Sequence, residues 1–159
     1  MKRLARLLGT LAFFAVWPAL YVYLRHGSER TRILVVLGDD VLVSVNWLSN
    51  GRWSLPGGGL HKGEDRLTGA LRELREETGL TPKPEELQYM LEAKVHGHGL
   101  WTTFYCYVLV LDEKPSLVRQ RHEVAEHRWI NYHDLSDRNT SSEALQLVQA
   151  WFKESALIQ

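Results

Sequence analysis

The chain has 159 residues, 45% of them apolar and 24% charged, which places it among folded globular proteins with room for one domain and not two ordinary ones. Its 19 basic and 19 acidic residues cancel, so no bulk attraction toward a nucleic acid polymer is expected. The single cysteine, Cys106, excludes an intrachain disulfide, and nothing speaks for an oxidising compartment. Lying in an alternating apolar run, it reads as a small buried hydrophobe rather than a nucleophile.

Residues 7–24, LLGTLAFFAVWPALYVYL, hold no charge and follow Lys2, Arg3 and Arg6. As a helix they would reach about 27 Å, just short of a hydrocarbon core, apolar all round and kinked at Pro18. The small-x-small pattern of a signal-peptide cleavage site is missing. Arg25, Arg30 and Arg32 balance the leading cations, so charge sets no orientation. The expectation is a hydrophobic N-terminal helix over residues 1–27 lying on a membrane surface, ahead of a folded domain at 28–159. Packing against the domain or a partner chain, and a targeting segment, are the alternatives.

Residues 26–29 read as a linker. Two β-rich runs follow at 32–37 and 41–47, separated by a Gly38-Asp39-Asp40 turn. Ser49-Asn50-Gly51 is a second turn, Asn-Gly being a strong hairpin signal. Trp53-Ser54-Leu55 then continues as a strand into Pro56-Gly57-Gly58-Gly59, where bare backbone can approach a ligand closely.

At 100° per residue, Leu67, Ala70, Leu71, Leu74 and Thr78 form the apolar stripe of an amphipathic helix, which Gly79 ends as a left-handed cap. On the adjoining face Glu73, Glu76 and Glu77 stand at i, i+3 and i+4, so three carboxylates share one turn. Such pairs each cost an isolated helix about 0.2–0.5 kcal/mol. A hard divalent cation removes the conflict, since Mg²⁺ and Mn²⁺ prefer oxygen ligands. Arg72 can hold the Glu73 carboxylate in one orientation. Glu-rich helices are usually only solvated faces; here the register of the whole stretch argues otherwise.

Gly58 is followed after five residues by Glu64, after seven more by Arg72-Glu73-Leu74, then by Glu76-Glu77 and Gly79-Leu80. This spacing resembles the Nudix box in every fixed position. The resemblance implies an α/β fold, an α/β/α sandwich with a mixed curved sheet over about residues 31–157, following the N-terminal hydrophobic helix. It also implies hydrolysis of a phosphoanhydride bond in a nucleotide substrate, with Mg²⁺ or Mn²⁺ as cofactor. Nucleotides and Mg²⁺ are available in the cytoplasm, so the cytosolic side of the inner membrane is the expected location. By resemblance Glu73, Glu76, Glu77 and the Gly58 carbonyl are metal ligands, with Arg72 beside them. Family members often add one carboxylate, as ligand or general base, in the loop before a strand carrying a Trp. That strand holds Trp129 here, and both Glu123 and Glu126 precede it. Glu123 is preferred because Glu126 is expected to begin the strand. Glu73 is itself a base in some relatives, so the proton acceptor stays open.

Past the box, Thr81-Pro82-Lys83-Pro84 stops the helix. Strands are expected at 86–96 and 102–111, joined through His96-Gly97-His98-Gly99, with a polar loop at 112–121. A short strand at 126–130 and a helical turn at 132–136 come next. A closing helix at 141–156 has Leu145, Val148, Trp151, Phe152 and Leu157 at helical spacing. His96 and His98 read as solvated loop residues more than as ligands. Trp101 reads as core more than as a stacking platform. Arg119, Arg121 and His122 form a basic cluster, nearer to a solvated loop than to a phosphate site.

Several family marks of substrate subclass are absent. Val95 and His96 occupy the zone where many ADP-ribose hydrolases carry proline, and WSLPGGG lacks the glutamine common in RNA-cap pyrophosphohydrolases. A MutT-like hydrolase of an NTP or dNTP is the favoured expectation. An ADP-ribose or nucleotide-sugar hydrolase, and a non-catalytic Nudix-fold nucleotide sensor, are the alternatives; intact box carboxylates favour turnover.

Overall fold

A computed structural model describes residues 28–46, 51–97, 100–118 and 124–157. Its centre is β1 (Ser28–Leu37), in which Ile33, Leu34, Val35 and Val36 are all buried, the signature of a strand covered on both faces. A turn through Gly38, at φ 58°, reverses the chain into β2 (Asp40–Asn46), pairing Val36 with Val41. With β3 (Gln88–Gly97), β4 (Leu100–Val110) and β5 (Val124–Asn131), these form one sheet in the order β3-β4-β1-β2-β5. β1 runs parallel to β4 and every other pairing is antiparallel, so the sheet is mixed.

Strand alternation sorts the core into two layers. Ile33, Val35, Leu42, Tyr105, Tyr107 and Leu109 meet Ala70 and Leu74 of α1 (Arg66–Thr78). Leu34, Val36, Val41, Val43, Phe104, Cys106 and Val108 meet Ala144, Leu147 and Val148 of α2 (Ser142–Ser155). This is the expected α/β/α sandwich. Each fully buried Val, Leu or Ile contributes about 1.5–3 kcal/mol relative to exposure. Cys106 sits in the second layer, 1% exposed, and burial raises its thiol to about 11, as a structural cysteine requires.

β1 and β2 pair only beside their turn, and residues 53–60 enter the gap between them. Ser44 and Ser54 exchange backbone bonds of 2.8 and 2.9 Å. On the other side the Ile33 amide donates to the Pro56 carbonyl (2.9 Å), the Thr31 amide to Gly58 (2.8 Å) and the Leu60 amide to Glu29 (3.0 Å). The expected strand at Trp53-Ser54-Leu55 is thus a set of isolated bridges that wedges the glycine loop into the sheet. Gly57 has φ 132°, and a Cβ there would lie 2.3 Å from the Thr31 carbonyl oxygen, so only glycine fits.

Several boundaries move. Ser28 and Glu29 belong to β1 rather than to a linker, because the Ser28 hydroxyl bonds Thr102 and Glu29 accepts the Tyr105 hydroxyl at 2.6 Å, contacts with no local sequence signal. Pro84–Glu86 form a 3₁₀ turn, with the Glu86 carboxylate accepting the Lys83 amide, so β3 starts at Gln88 rather than 86. β5 begins at Val124, two residues before the expected start. Trp101 is 61% exposed against His96 and is not core; Leu157 is exposed, while Ala144 and Leu147 take the buried places on α2. The expected N-terminal helix, the Asn50 turn, His98, and the cluster Arg119, Arg121 and His122 lie outside the described residues. Among the described residues no helix is long and apolar enough to cross a membrane.

Candidate active site

α1 starts at an Asp65 cap, whose carboxylate accepts the Thr68 amide at 3.0 Å and is held below its ordinary pKa by that bond. It stops at Gly79, φ 79°, whose amide donates to Arg75. Between these caps the helix buries more than the expected stripe. Glu73 is 8% and Glu77 2% exposed, alongside Ala70, Leu74 and Thr78, whereas the Glu76 side chain is 38% exposed. Two of the three carboxylates therefore face the sheet and the glycine loop.

Arg72 organises the outer half of the site. Its Nε and Nη2 donate to the two oxygens of Glu64 at 2.8 and 2.9 Å, a bidentate pair. Nη1 donates to Glu73 at 2.8 Å and to Glu76 at 3.2 Å, and Nη2 also to the Gly59 carbonyl at 3.0 Å. One guanidinium thus ties the helix to its loop and orients two box carboxylates. The hydrogen bonds to Arg72 hold Glu64 down to about 2, and reciprocally raise Arg72 above its ordinary value. Glu64 was present in the motif, but its clamp on Arg72 spans eight residues and was not anticipated.

The inner half is built around Glu77. Its Oε2 accepts the Gly57 amide at 2.8 Å, and the carbonyl of the same residue contacts His127 Nε2 of β5 at 2.8 Å. Burial pushes its carboxyl up to about 7; the Gly57 and Asn46 hydrogen bonds pull down and the Glu73 charge pushes up further. Arg32, half-buried on β1, donates Nη1 to the Thr31 and Gly57 carbonyls at 3.1 Å each and lies 4.9 Å from the Phe104 ring centre. Burial lowers its guanidinium to about 10. Arg32 was legible only as a cation opening an apolar strand; apart from the adjacent Thr31 carbonyl, the partners named here, Gly57 and Phe104, lie 25 or more residues away.

The Gly58 carbonyl accepts the Thr31 amide, and a Cβ on Gly58 would lie 2.5 Å from the Glu73 carboxylate. Glycine at this position keeps that carboxylate uncovered. Among the described residues no three acidic, histidine or cysteine side chains are grouped so as to hold a metal ion; Glu73 and Glu76 turn toward Arg72. The donor chemistry still fits a divalent cation. The candidate ligating atoms are all hard oxygens, and burial, with the Glu73 charge one helical turn away adding to it, raises Glu77.

Glu126 lies inside β5 and ion-pairs with Arg128 at 2.6 Å. Since neighbours on a strand point to opposite faces, and His127 reaches α1, Glu126 faces away from the box helix. Glu123 lies outside the described residues.

The NUDIX domain family model matches residues 22–151. The chain belongs to the Nudix family. It is 31% identical to a MutT-like protein of Streptomyces ambofaciens over 119 residues, 74% of this chain and 72% of that protein. It is 33% identical to an RNA pyrophosphohydrolase of Roseobacter denitrificans over 111 residues, 67% of this chain but only 63% of that one. In fold it is similar to a bifunctional NMN adenylyltransferase/ADP-ribose pyrophosphatase of Francisella tularensis, solved with AMP and a Mn ion. That superposition has a TM-score of 0.73 and 20% identity over 91% of this chain and 47% of the other. The protein is a Nudix hydrolase, and Nudix hydrolases generally use divalent metal ions.

Proposed function

We propose that this Nudix hydrolase cleaves a phosphoanhydride bond of a nucleoside triphosphate or deoxynucleoside triphosphate with Mg²⁺, Mn²⁺ serving as a substitute. The observation that carries the reading is the buried Glu73–Glu77 pair held against Gly57 and Gly58. Burying two carboxylates, 8% and 2% exposed, one turn apart on a helix is costly, and a divalent cation would offset that cost.

Glu73, Glu76, Glu77 and the Gly58 carbonyl would hold the metal, with Glu123 as the further carboxylate. Bound there, the cation would neutralise charge on the departing phosphate and acidify an attacking water. The protein's own part is positioning. Arg72 fixes Glu73 and Glu76; the Gly57 amide fixes Glu77; Arg32 fixes the Gly57 carbonyl and hence the loop. Proton acceptance falls to Glu123 or Glu73.

A 5′-triphosphate RNA end is the second reading, favoured by the named activity of the Roseobacter relative. The test is phosphate and pyrophosphate release with Mg²⁺ from a panel of NTPs, dNTPs, ADP-ribose, a nucleotide sugar, a dinucleoside polyphosphate and a 5′-triphosphate RNA. Turnover of an NTP or dNTP at least about tenfold above the others in kcat/KM supports the proposal. Preference for RNA or ADP-ribose overturns it.

The uncharged run at 7–24 supports a location at the cytosolic membrane surface. Full-length protein should float with vesicles containing anionic lipid, and failure to float removes that part of the reading.

A further inference from the structure

β3 stands at the edge of the sheet and, among the described elements, pairs with β4 alone. An unpaired ten-residue edge invites another strand, and natural edges are usually blunted by proline, bulges or unmatched charge. The bulge here falls at Met90, near the start; from Leu91 to Gly97 the pairing with β4 runs without interruption.

That regular part contains Leu91-Glu92-Ala93-Lys94-Val95, which is self-complementary about Ala93. We propose that two copies of this chain associate edge to edge through β3, antiparallel, with Ala93 of each copy opposite the other, to form a continuous sheet. In this register Glu92 of each copy meets Lys94 of the other on the α1 face, giving two opposite-charge pairs. Within one chain these residues pair with each other at 3.6 Å, and the Lys94 side chain is 68% exposed. On the α2 face Leu91 meets Val95 of the second copy, twice, covering an edge valine that is 37% exposed in the single chain. Leu91, Ala93 and Val95 also line a groove of about 200 Å³ between β3 and α2, with Phe104, Leu147 and Ala150. The second strand extends its apolar wall.

The register is selective. Centring the pair on Glu92 or on Lys94 sets like charges directly opposite, and centring it between residues sets a charge against Ala93. An isologous two-fold contact through one strand also closes at two chains and leaves no free β3 edge for a third.

The test uses the full-length chain and measures mass by sedimentation over a concentration series. Wild type should sediment as two chains. Lys94→Glu and Glu92→Lys should each shift it toward one chain, with association weakened about tenfold or more. Mixing the two variants should restore the two-chain mass, because each then meets its opposite charge. Both substitutions lie outside the box loop and α1, so hydrolysis per chain should stay at the wild-type rate and report that the fold is intact. A single-chain wild type overturns the proposal. So does a dimer indifferent to both substitutions, as association through residues 7–24 would give, or a mixture that fails to re-form.

Discussion

The two helices of the sandwich are nearly equal in length, 13 and 14 residues, and cover opposite faces of one sheet, yet they bury different chemistry. α2 presents Ala144, Leu147 and Val148 to the core. α1 presents Ala70 and Leu74 but sets Glu73 and Glu77 beside them, and needs the Arg72 guanidinium and the Gly57 amide to satisfy those oxygens. One helix is an apolar lid that stabilises the domain. The other gives up part of that contribution to hold negative charge out of water, and the difference falls on the helix proposed to hold the metal.

The widest separation between the helices should come from neutralising a buried acid. Glu77→Gln, and likewise Glu76→Gln, should lower kcat with Mg²⁺ by about two orders of magnitude or more, because each removes a proposed metal ligand. The same Glu77 variant, melted without metal, should unfold at an unchanged or higher temperature. Near wild-type turnover in either variant would refute the ligand assignment. Leu147→Ala makes the converse cut in α2. It should cost about 2–5 kcal/mol in denaturant unfolding while kcat and KM stay as they are; a comparable loss of kcat would mean that α2 also shapes the site.

The pH response should divide the molecule in the same way. The folded pKa of Glu77, about 7, lies above its ordinary 4.5, so the folded state holds a proton there that the unfolded state has released. Metal-free stability should fall as pH rises from about 4.5 to 7, by at most about 3 kcal/mol for this group, and the penalty should persist above pH 7. Glu64 acts in the opposite sense: its folded pKa of about 2 adds stability that is present above pH 4.5 and lost on acidification toward 2. The readout is the difference between wild type and Glu77→Gln. If the two melting curves stay parallel from pH 5 to 7.5, Glu77 does not carry the charge strain attributed to it.

What was legible beforehand follows the range of the interactions. Period-2 and period-3.6 patterns report burial, so both helices and most of the strands were readable from Ile33–Val36, Ala70–Leu74 and the run before Leu111, while the order of the strands in the sheet was not. Box spacing brought Arg72, Glu73, Glu76 and Glu77 together because they lie within two turns of one helix. The partners that give these residues their electrostatics were not readable. Gly57 to Glu77 spans 20 residues, Arg32 to Gly57 spans 25, and His127 to Glu77 spans 50. Tertiary placement also overrode the local reading of Ser28 and Glu29, which look like a linker until β4 supplies Thr102 and Tyr105. Trp101 failed for a related reason: an apolar strand start at a hairpin end has no neighbouring layer to bury it.

The smallest expected effect lies at Glu126, and it sharpens the contrast from the far edge of the sheet. Its carboxylate is half-exposed and bonded to Arg128, which itself lies 5.1 Å from the Trp53 ring centre on the face opposite α1. An exposed pair of this kind contributes about 0–1 kcal/mol, so Glu126→Gln should change stability by no more than that and kcat by less than about twofold. Three positions earlier, Glu123→Gln should lower kcat far more if the carboxylate before β5 serves the box. Equal activity in the two variants would remove this loop from the mechanism and leave Glu73 as the proton acceptor. Loss at Glu126 alone would mean that β5 shifts register when substrate binds, and that the face assigned to α2 takes part in catalysis.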